Sequence, residues 1–379
     1  MDTIDFLVLA AHGTGIHAFH TYANMLPGIS CLSHGISEKA IREFLRNPGH
    51  TAKGLILDTP ALDEGFLDAI LARCSPQCTL VVLSRDPLER LKSVVNTHVL
   101  WWAEATAGVF DRPGHATKLY GCADVKTMTE TLLDAPNMNT SWKLLPLVAP
   151  RMHNFLVFDI RELYPENAER SLLSLLALLE KGKLPQGSIP GFSIPRSLVY
   201  RKENSFVRFI KKLRLRHGDA WFAIKPCPYE FCSSYGLEQD IVLLRDPADY
   251  GFSLGDYEGE LAFVLCEYDH HSRTNAMNIV RQRLEQEPEL LLDYCADISR
   301  RHAFAQKLAD CVALTNDGLL DFARSDRQFG SALRQFFQNH EHCLTACGRD
   351  ASSSWQATQD FSTALASILA AGAGATPGD

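Results

Sequence analysis

The chain has 379 residues, of which 46% are hydrophobic and 22% charged, and its formal net charge is −8 at pH 7. These proportions are ordinary for a globular protein with a large buried core. The negative balance argues against a nucleic-acid partner, because neutralising phosphates calls for a net basic surface.

The cysteines and the start of the chain favour a cytoplasmic protein without a metal. Eleven cysteines stand at irregular spacing, as expected for free thiols in a reducing compartment. The pairs Cys227–Cys232 and Cys343–Cys347 lack the spacing and the second half of a zinc site, so we predict buried side chains there. The opening MDTIDFLVLAAHG has no basic start or cleavage site, and no segment reaches the roughly 20 apolar residues of a membrane span.

The hydrophobic pattern predicts alternating strands and helices as far as about residue 180. Strands are predicted over 6–11, 54–60 and 79–87, and helices over 36–47, 63–74 and 88–105, followed by a strand, a loop and a helix within 154–180. Such alternation predicts an α/β fold, in which helices flank a parallel sheet on both faces.

The pattern changes after a stretch rich in Pro, Gly and Ser at 181–197. We predict a nucleotide-binding α/β domain over 1–210, a mostly helical C-terminal region over 211–365, and a flexible tail over 366–379. Within the second region, 241–250 and 260–269 have the composition of strands and favour a short hairpin.

The loop after the first strand, HGTG, has the residues of an anion site. In a strand–loop–helix unit the loop amides and the helix N-terminus face the crevice beyond the strand ends. Gly13 and Gly15 let a ligand approach the backbone, and Thr14, which follows His12 and Gly13, adds a hydroxyl donor. The G-x-x-x-x-G-K-[ST] pattern is absent, so this is not an ordinary P-loop NTPase. A tight turn without a ligand is the alternative.

Arg85 and Ser93 suggest a second part of the same site. Arg85 follows a buried strand, where its guanidinium fork can grip a phosphate. Ser93 comes after seven further residues, on the next helix, where its hydroxyl can donate to the same group. The alternative is an arginine at a strand end that pairs with Asp86 or Glu89. A second LLRDP, at 243–247, has no serine on a following helix, and we interpret it as a turn.

The stretch RDPLERLKS resembles the 3′-phosphate-binding motif of the sulfotransferases, which use 3′-phosphoadenosine 5′-phosphosulfate on a P-loop-like α/β fold. In that family the first strand–loop–helix holds the 5′-phosphosulfate, and the later arginine and serine hold the 3′-phosphate. The order is the same here, with AHGTGIHAF first and LSRDPLERLKS about seventy residues later. FLVFDIRELYPENAERSLLSLLALL is similar to a later strand–loop–helix of the family, with Asp159 at its acidic position. The likeness covers about 4–210 and implies nucleotide-binding roles for His12, Gly13, Thr14, Gly15, Arg85 and Ser93.

The loop departs from the family in its charge. The family carries Lys or Arg before the small residues, whereas this chain has Ala11 and His12, and Thr14 is only half of the usual hydroxyl pair. An imidazole beside a phosphate can hold a proton and replace part of the missing charge. A different binding mode, a different donor or a loss of activity are the alternatives.

Sulfuryl transfer also needs a base for the acceptor hydroxyl. Asp58 ends a strand at the edge where parallel sheets bind ligands, and His17 begins the helix after the loop, so these are the candidate catalytic residues. The alternative for Asp58 is an N-cap of the next helix, and for His17 and His20 it is packing against the sheet. His98 is a further candidate base, and Lys53 and Arg112 are candidates to neutralise the sulfonate, although no spacing selects them.

The resemblance thus implies transfer of a sulfuryl group from 3′-phosphoadenosine 5′-phosphosulfate to a hydroxyl, on a carbohydrate by family analogy, as in polysaccharide biosynthesis. A non-catalytic nucleotide- or partner-binding protein and a glycan-assembly transferase with another donor are the alternatives. The basic run 201–217 has seven Lys and Arg residues in seventeen. It fits a wall over the nucleotide, a peripheral contact with anionic lipid or polysaccharide, or a solvated helix face.

Overall fold

The fold comes from a computed structural model of the chain, which describes residues 4–33, 41–43, 45–46, 53–58, 64–110, 124–179, 189, 210–232, 236–246, 260–269, 271–346 and 355–371. The strands are β1 (Ile4–Leu9), β2 (Cys31–Ser33), β3 (Gly54–Leu57), β4 (Cys74–Ser84), β5 (Asn154–Asp159), β6 (Leu213–His217), β7 (Ala220–Pro228), β8 (Ile241–Arg245) and β9 (Leu261–Tyr268). The longer helices are α1 (Ile16–Asn24), α2 (Glu64–Ala72), α3 (Pro87–Thr106), α4 (Val125–Asp134), α5 (Thr140–Val148), α6 (Pro165–Leu179), α7 (Arg273–Gln286), α8 (Glu289–Val312), α9 (Asn316–Ser325), α10 (Arg327–Ala346) and α11 (Gln356–Ala371).

Two compact units make up the chain. The first consists of residues 1–95, 124–194 and 314–379, and the second of residues 96–123 and 195–313. This division differs from the boundaries predicted at 210 and 365, because helices late in the sequence pack with the first sheet rather than with the residues that precede them. Helix α3 contributes its first half to one unit and its second half to the other.

The first unit contains a five-stranded parallel sheet in the order β2-β3-β1-β4-β5. Its central strand β1 is a continuous apolar run, as expected for a strand buried on both faces. Val8 of β1 is in register with Ile56 of β3 on one side and with Val81 of β4 on the other. The predicted α/β fold with a parallel sheet is therefore confirmed.

Helices cover this sheet on both faces. On one face, the ring of Phe19 from α1 lies 6.5 Å from that of Phe6 on β1 and 6.0 Å from that of Phe158 on β5. The core on the other face includes residues of α2, α5 and α10, together with Trp355 just before α11. The helical C-terminal region thus contributes to the core of the parallel sheet.

The second unit contains a four-stranded antiparallel sheet in the order β6-β7-β9-β8. One face packs on α7 and α8 around Phe222 and Phe263. Strands β8 and β9 pair antiparallel, with Leu243 opposite Phe263, as a hairpin requires, and 247–259 between them lie outside the described residues. Strands β6 and β7 were not predicted.

The basic run 201–217 is described only from residue 210 onward, and 201–209 lie outside the described residues. Its last part, β6, is a strand with Leu215 buried and Arg214 and Arg216 exposed. The interpretation as a solvated helix face is therefore wrong for this part, because side chains alternate with a period of two along a strand.

The two remaining predictions concern the ends of elements. The tail predicted to be flexible from 366 is helical as far as Ala371, and 372–379 lie outside the described residues. The helix predicted over 36–47 is described only at 41–43 and 45–46, where the backbone is helical. None of the helices in the described part of the chain is long and apolar enough to cross a membrane.

Candidate functional site

The sheet topology brings the glycine loop and Arg85 together. Strands β1 and β4 are neighbours, but the chain leaves β1 toward β2 on one side of the sheet and leaves β4 toward β5 on the other. Where neighbouring connections diverge in this way, a crevice opens beyond the carboxyl ends of the strands, and α/β proteins bind ligands there. The loop at 10–15 follows β1 and Arg85 follows β4, so both lie at this crevice.

The backbone of the loop depends on its glycines. Gly13 and Gly15 have φ values of 84° and 86°, a left-handed conformation that other residues rarely adopt. The hydroxyl of Thr14 is buried and donates to the carbonyl of Ala11 at 2.7 Å. That hydrogen bond closes the turn. The Thr14 hydroxyl, which was predicted to donate to a ligand, therefore donates within the loop in this structure. Among the backbone amides of the loop, those of Ala10 and Thr14 also donate to carbonyls, of Leu57 and Ala11, each at 3.1 Å.

Helix α1 begins directly after the loop. Gly15 is its N-cap residue, no side chain caps its first amides, and its first turn has no acidic residue. The positive end of the helix dipole is therefore not offset by a local carboxylate, which suits an anion. His12 is exposed at the start of the loop, and its backbone N–H donates to the carbonyl of Asn137 at 2.9 Å.

Arg85 is half-buried, and its Nη1 donates to the carbonyl of Gly13 at 3.3 Å. The alternative partners are engaged elsewhere. The Asp86 carboxylate accepts from two amides of the first turn of α3, at 3.0 and 3.1 Å, and Glu89 pairs with Lys92 at 2.8 Å. In the described part of the chain Arg85 makes no ion pair with a carboxylate, so the interpretation as a locally paired strand-end arginine is not supported.

The helix that carries Ser93 runs against the loop. A Cβ atom on Gly13 would lie 2.9 Å from Cγ2 of Val94 and 3.1 Å from Cγ of Arg90. Only a glycine fits this approach without displacing the side chains of Val94 and Arg90. Ser93 itself is half-buried beside Val94. The loop, Arg85 and the helix that carries Ser93 therefore lie together.

Sequence reasoning missed Arg90, which is buried next to this loop. Its side chain is 2% exposed. Nη2 donates to the carbonyl of Met138 at 2.9 Å and lies 2.6 Å from Nε2 of His340, and the guanidinium carbon is 5.3 Å from the centre of the Phe336 ring. The Nε–H group is buried without a partner. Burial lowers the pKa of Arg90 to about 9, with repulsion from Arg85 as the second cause, and the group stays charged at neutral pH.

His340 holds Arg90 as a neutral acceptor. Its Nδ1 lies 2.7 Å from the carbonyl of Phe336, which places the proton on Nδ1 and leaves the lone pair of Nε2 toward Arg90. Burial, and then the charge of Arg90, lower the pKa of His340 well below its usual value. The sequence gives little signal for this pair, because the two residues are 250 positions apart. The only local hint that Arg90 belongs near the loop is its position four residues before Val94, on the side of α3 that meets the loop.

The candidate bases differ in their surroundings. Asp58 directly follows β3 and is half-buried beside the start of the loop, and Ser33 Oγ lies 3.5 Å from its Oδ2. His17 is exposed in the first turn of α1, so packing against the sheet is wrong for this residue. His20 is half-buried, and burial lowers its pKa, which favours the neutral imidazole. The N-cap alternative for Asp58 concerns 59–63, which lie outside the described residues.

The four further residues that the sequence singled out have different positions. Lys53 precedes β3, at the opposite edge of the sheet, and pairs with Asp5 at 2.9 Å. Asp159 is in register with Ser84 of β4, caps the turn after β5 and pairs with Arg161 at 2.7 Å. That turn lies beside the loop, since a Cβ atom on Gly15 would be 3.4 Å from Leu163 and 3.5 Å from Ile160. His98 belongs to the second unit, and Arg112 lies outside the described residues.

Searches for relatives give no further guide to this site. No family model, no curated protein and no solved structure matches the chain. Within the described residues, no group of three or more His, Cys, Asp or Glu side chains is placed to hold a metal ion. Cys227, Cys232 and Cys343 are buried free thiols, as predicted, and Cys347 lies outside the described residues.

Proposed function

We propose that the protein is a sulfotransferase-like enzyme that acts in the cytoplasm. It transfers a sulfuryl group from 3′-phosphoadenosine 5′-phosphosulfate to an acceptor hydroxyl, on a carbohydrate by analogy with the family that the motif resembles. The observation that carries the proposal is the 3.3 Å contact between Arg85 and Gly13. It joins a strand-end arginine with no carboxylate partner in the described chain to a glycine loop at the switch point of a parallel sheet.

The charges around the loop favour a ligand with several negative groups. In the proposed complex, the loop amides and the start of α1 hold the 5′-phosphosulfate, and Arg85 and Ser93 hold the 3′-phosphate. The uncapped helix end suits the first group. A guanidinium fork suits the second, because it binds a phosphate through two parallel hydrogen bonds.

The chemical step is an in-line displacement at sulfur. The acceptor oxygen forms a bond to sulfur while the bond from sulfur to the 5′-phosphate oxygen breaks, and adenosine 3′,5′-bisphosphate leaves with the electron pair. Asp58 or His17 takes the hydroxyl proton. A protonated His12, exposed at the start of the loop, stabilises the charge that develops on the bridging oxygen.

The basic run supplies a second contact in this proposal. Arg214 and Arg216 are exposed on β6, in the part of 201–217 that the structure describes. They support a peripheral contact with an anionic polysaccharide or lipid surface, which holds the acceptor near the enzyme.

Calorimetric titration with adenosine 3′,5′-bisphosphate and with adenosine 5′-monophosphate tests the proposal. We expect the bisphosphate to bind more tightly, and Arg85→Ala to lower its affinity roughly 30- to 300-fold, as for the loss of a charge-assisted hydrogen-bond pair. Arg245→Ala is the matched control, because Arg245 belongs to the second RDP sequence and is exposed in the other unit.

Each other result selects an alternative. Binding that ignores the 3′-phosphate favours a glycan-assembly transferase with another nucleotide donor. Tight, selective binding without transfer to any carbohydrate hydroxyl favours a non-catalytic binding protein, which the missing loop cation also suggests. No binding of either nucleotide contradicts the proposal.

A further inference from the structure

A positive charge is buried next to the glycine loop with only neutral groups around it. The aliphatic part of Arg90 packs against Gly13, and its guanidinium contacts the Met138 carbonyl, neutral His340 and the face of Phe336. No carboxylate in the described part of the chain pairs with it.

Such a buried charge is expensive unless an opposite charge compensates it. Instead a second cation lies at the same loop, since Arg85 contacts the carbonyl of Gly13 and repels Arg90. The start of α1 adds a positive partial charge at the same loop. This arrangement becomes electrostatically balanced when an anion occupies the loop.

We propose that Arg90 is a positioning residue whose buried charge holds the anion at the glycine loop. It acts through space, because a side chain that is 2% exposed cannot touch the ligand. The inference rests on the anion site of the proposed function. In the family that the motif resembles, a lysine or arginine of the loop provides this positive charge. Here we assign that role to Arg90.

The surroundings of Arg90 keep its charge available. A carboxylate at the position of His340 would hold the guanidinium equally well but would cancel its field at the loop. The neutral imidazole accepts the hydrogen bond without cancelling that field. In a site with little water the field of a fixed charge reaches further than it does in solvent.

The experiment measures how the affinity for anions of different charge changes when residue 90 is replaced. Adenosine 5′-monophosphate and adenosine 3′,5′-bisphosphate are titrated by calorimetry, and pyrophosphate is followed by thermal shift. Arg90→Met removes the charge, Arg90→Gln removes it but keeps a hydrogen-bond donor, and Arg90→Lys keeps it. Arg334→Met, an exposed residue on the helix of His340, controls for the change in net charge.

We expect Arg90→Met and Arg90→Gln to weaken bisphosphate binding roughly 10- to 100-fold and to weaken monophosphate binding less, because the loss grows with ligand charge. Arg90→Lys should retain most of the affinity, and Arg334→Met all of it. If Arg90→Met does not fold, Arg90→Gln gives the same comparison with the donor kept. A purely structural role would instead weaken both nucleotides by the same factor, and would overturn the inference.

The inference and the proposed function fail in different ways. If Arg85→Ala loses the bisphosphate while both neutral Arg90 variants bind it like the wild type, the inference is wrong and the function stands. If neither nucleotide binds but pyrophosphate raises the melting temperature only when residue 90 is charged, the inference stands without the function. If no anion has any effect, both are wrong.

Discussion

Asp86 and Thr358 are 272 residues apart in sequence, and they hold the starts of two helices together. Thr358 Oγ1 donates to Asp86 Oδ1 at 2.6 Å, and the backbone N–H of Thr358 donates to Asp86 Oδ2 at 3.2 Å. The same carboxylate caps the first turn of α3. Because these bonds occupy Asp86, the neighbouring Arg85 is left to the glycine loop.

Replacing Thr358 by valine should destabilise the protein by about 1–2 kcal/mol. The substitution removes one donor to Asp86 and leaves a carboxylate oxygen and the amide of Leu88 with fewer partners. Urea unfolding measures the free energy. Thr363→Val on the same helix is the control, because Thr363 is exposed and bonds only within that helix, and an equal loss in both variants would contradict a special role of the Asp86 contact.

Gly13→Ala should be more damaging than Gly28→Ala, although both glycines have a positive φ. The backbone strain of about 1–2 kcal/mol is common to both. Only Gly13 adds a clash, since its Cβ would lie 2.9 Å from Val94, whereas nothing lies within 4 Å of a Cβ on Gly28. We expect a lower unfolding free energy and weaker anion binding for Gly13→Ala, and equal stabilities would show that the loop adapts.

Stability should fall as the pH drops below about 6.5, partly through His340. Its pKa is lowered in the folded protein, so below the ordinary value of about 6.5 the unfolded chain binds a proton that the folded chain does not. The stabilisation is complete above that pH and is lost as the pH falls toward the folded pKa, by up to about 1.4 kcal/mol per pH unit. His340→Gln should flatten the curve below pH 6.5, measured by urea unfolding.

The exposed His342, on the same helix, provides the control for this pH dependence. His342→Gln should keep the slope of the wild type. A His340→Gln variant with the same slope as the wild type would contradict the assignment of a neutral, buried imidazole.

Arg85 and Ser93 should be energetically coupled if both bind one phosphate. We expect Arg85→Ala to cost about 2–3 kcal/mol of binding to adenosine 3′,5′-bisphosphate and Ser93→Ala about 1 kcal/mol. The double variant should differ from their sum by at least about 0.5 kcal/mol, whereas binding of adenosine 5′-monophosphate should change little. Strict additivity would place the two side chains on different groups.

Asp58 should prove the base rather than His17. It is half-buried at the carboxyl edge of the sheet, while His17 is exposed. In a single-turnover transfer assay Asp58→Asn should slow the chemical step by about 10²- to 10⁴-fold, with nucleotide affinity unchanged. His17→Gln should have an effect of only a few-fold, and the opposite order would exchange the two roles.

The sequence by itself determined the elements whose signals are local. Continuous apolar runs predicted strands of the parallel sheet, and the helical periodicity after Pro87 predicted α3. Gly13 and Gly15 marked the loop. These signals depend on neighbouring residues and on the periods of helix and strand, which a single sequence displays directly.

Only the tertiary structure decided which charges are available at the crevice. Lys53 was a candidate by residue type, but it lies at the wrong edge of the sheet because it precedes β3. Arg90 looked like an ordinary helix residue, and His340 comes 250 positions later. Whether a charge is buried, paired or free depends on the low-dielectric surroundings that distant segments create when they pack, and no local pattern in the sequence encodes that packing.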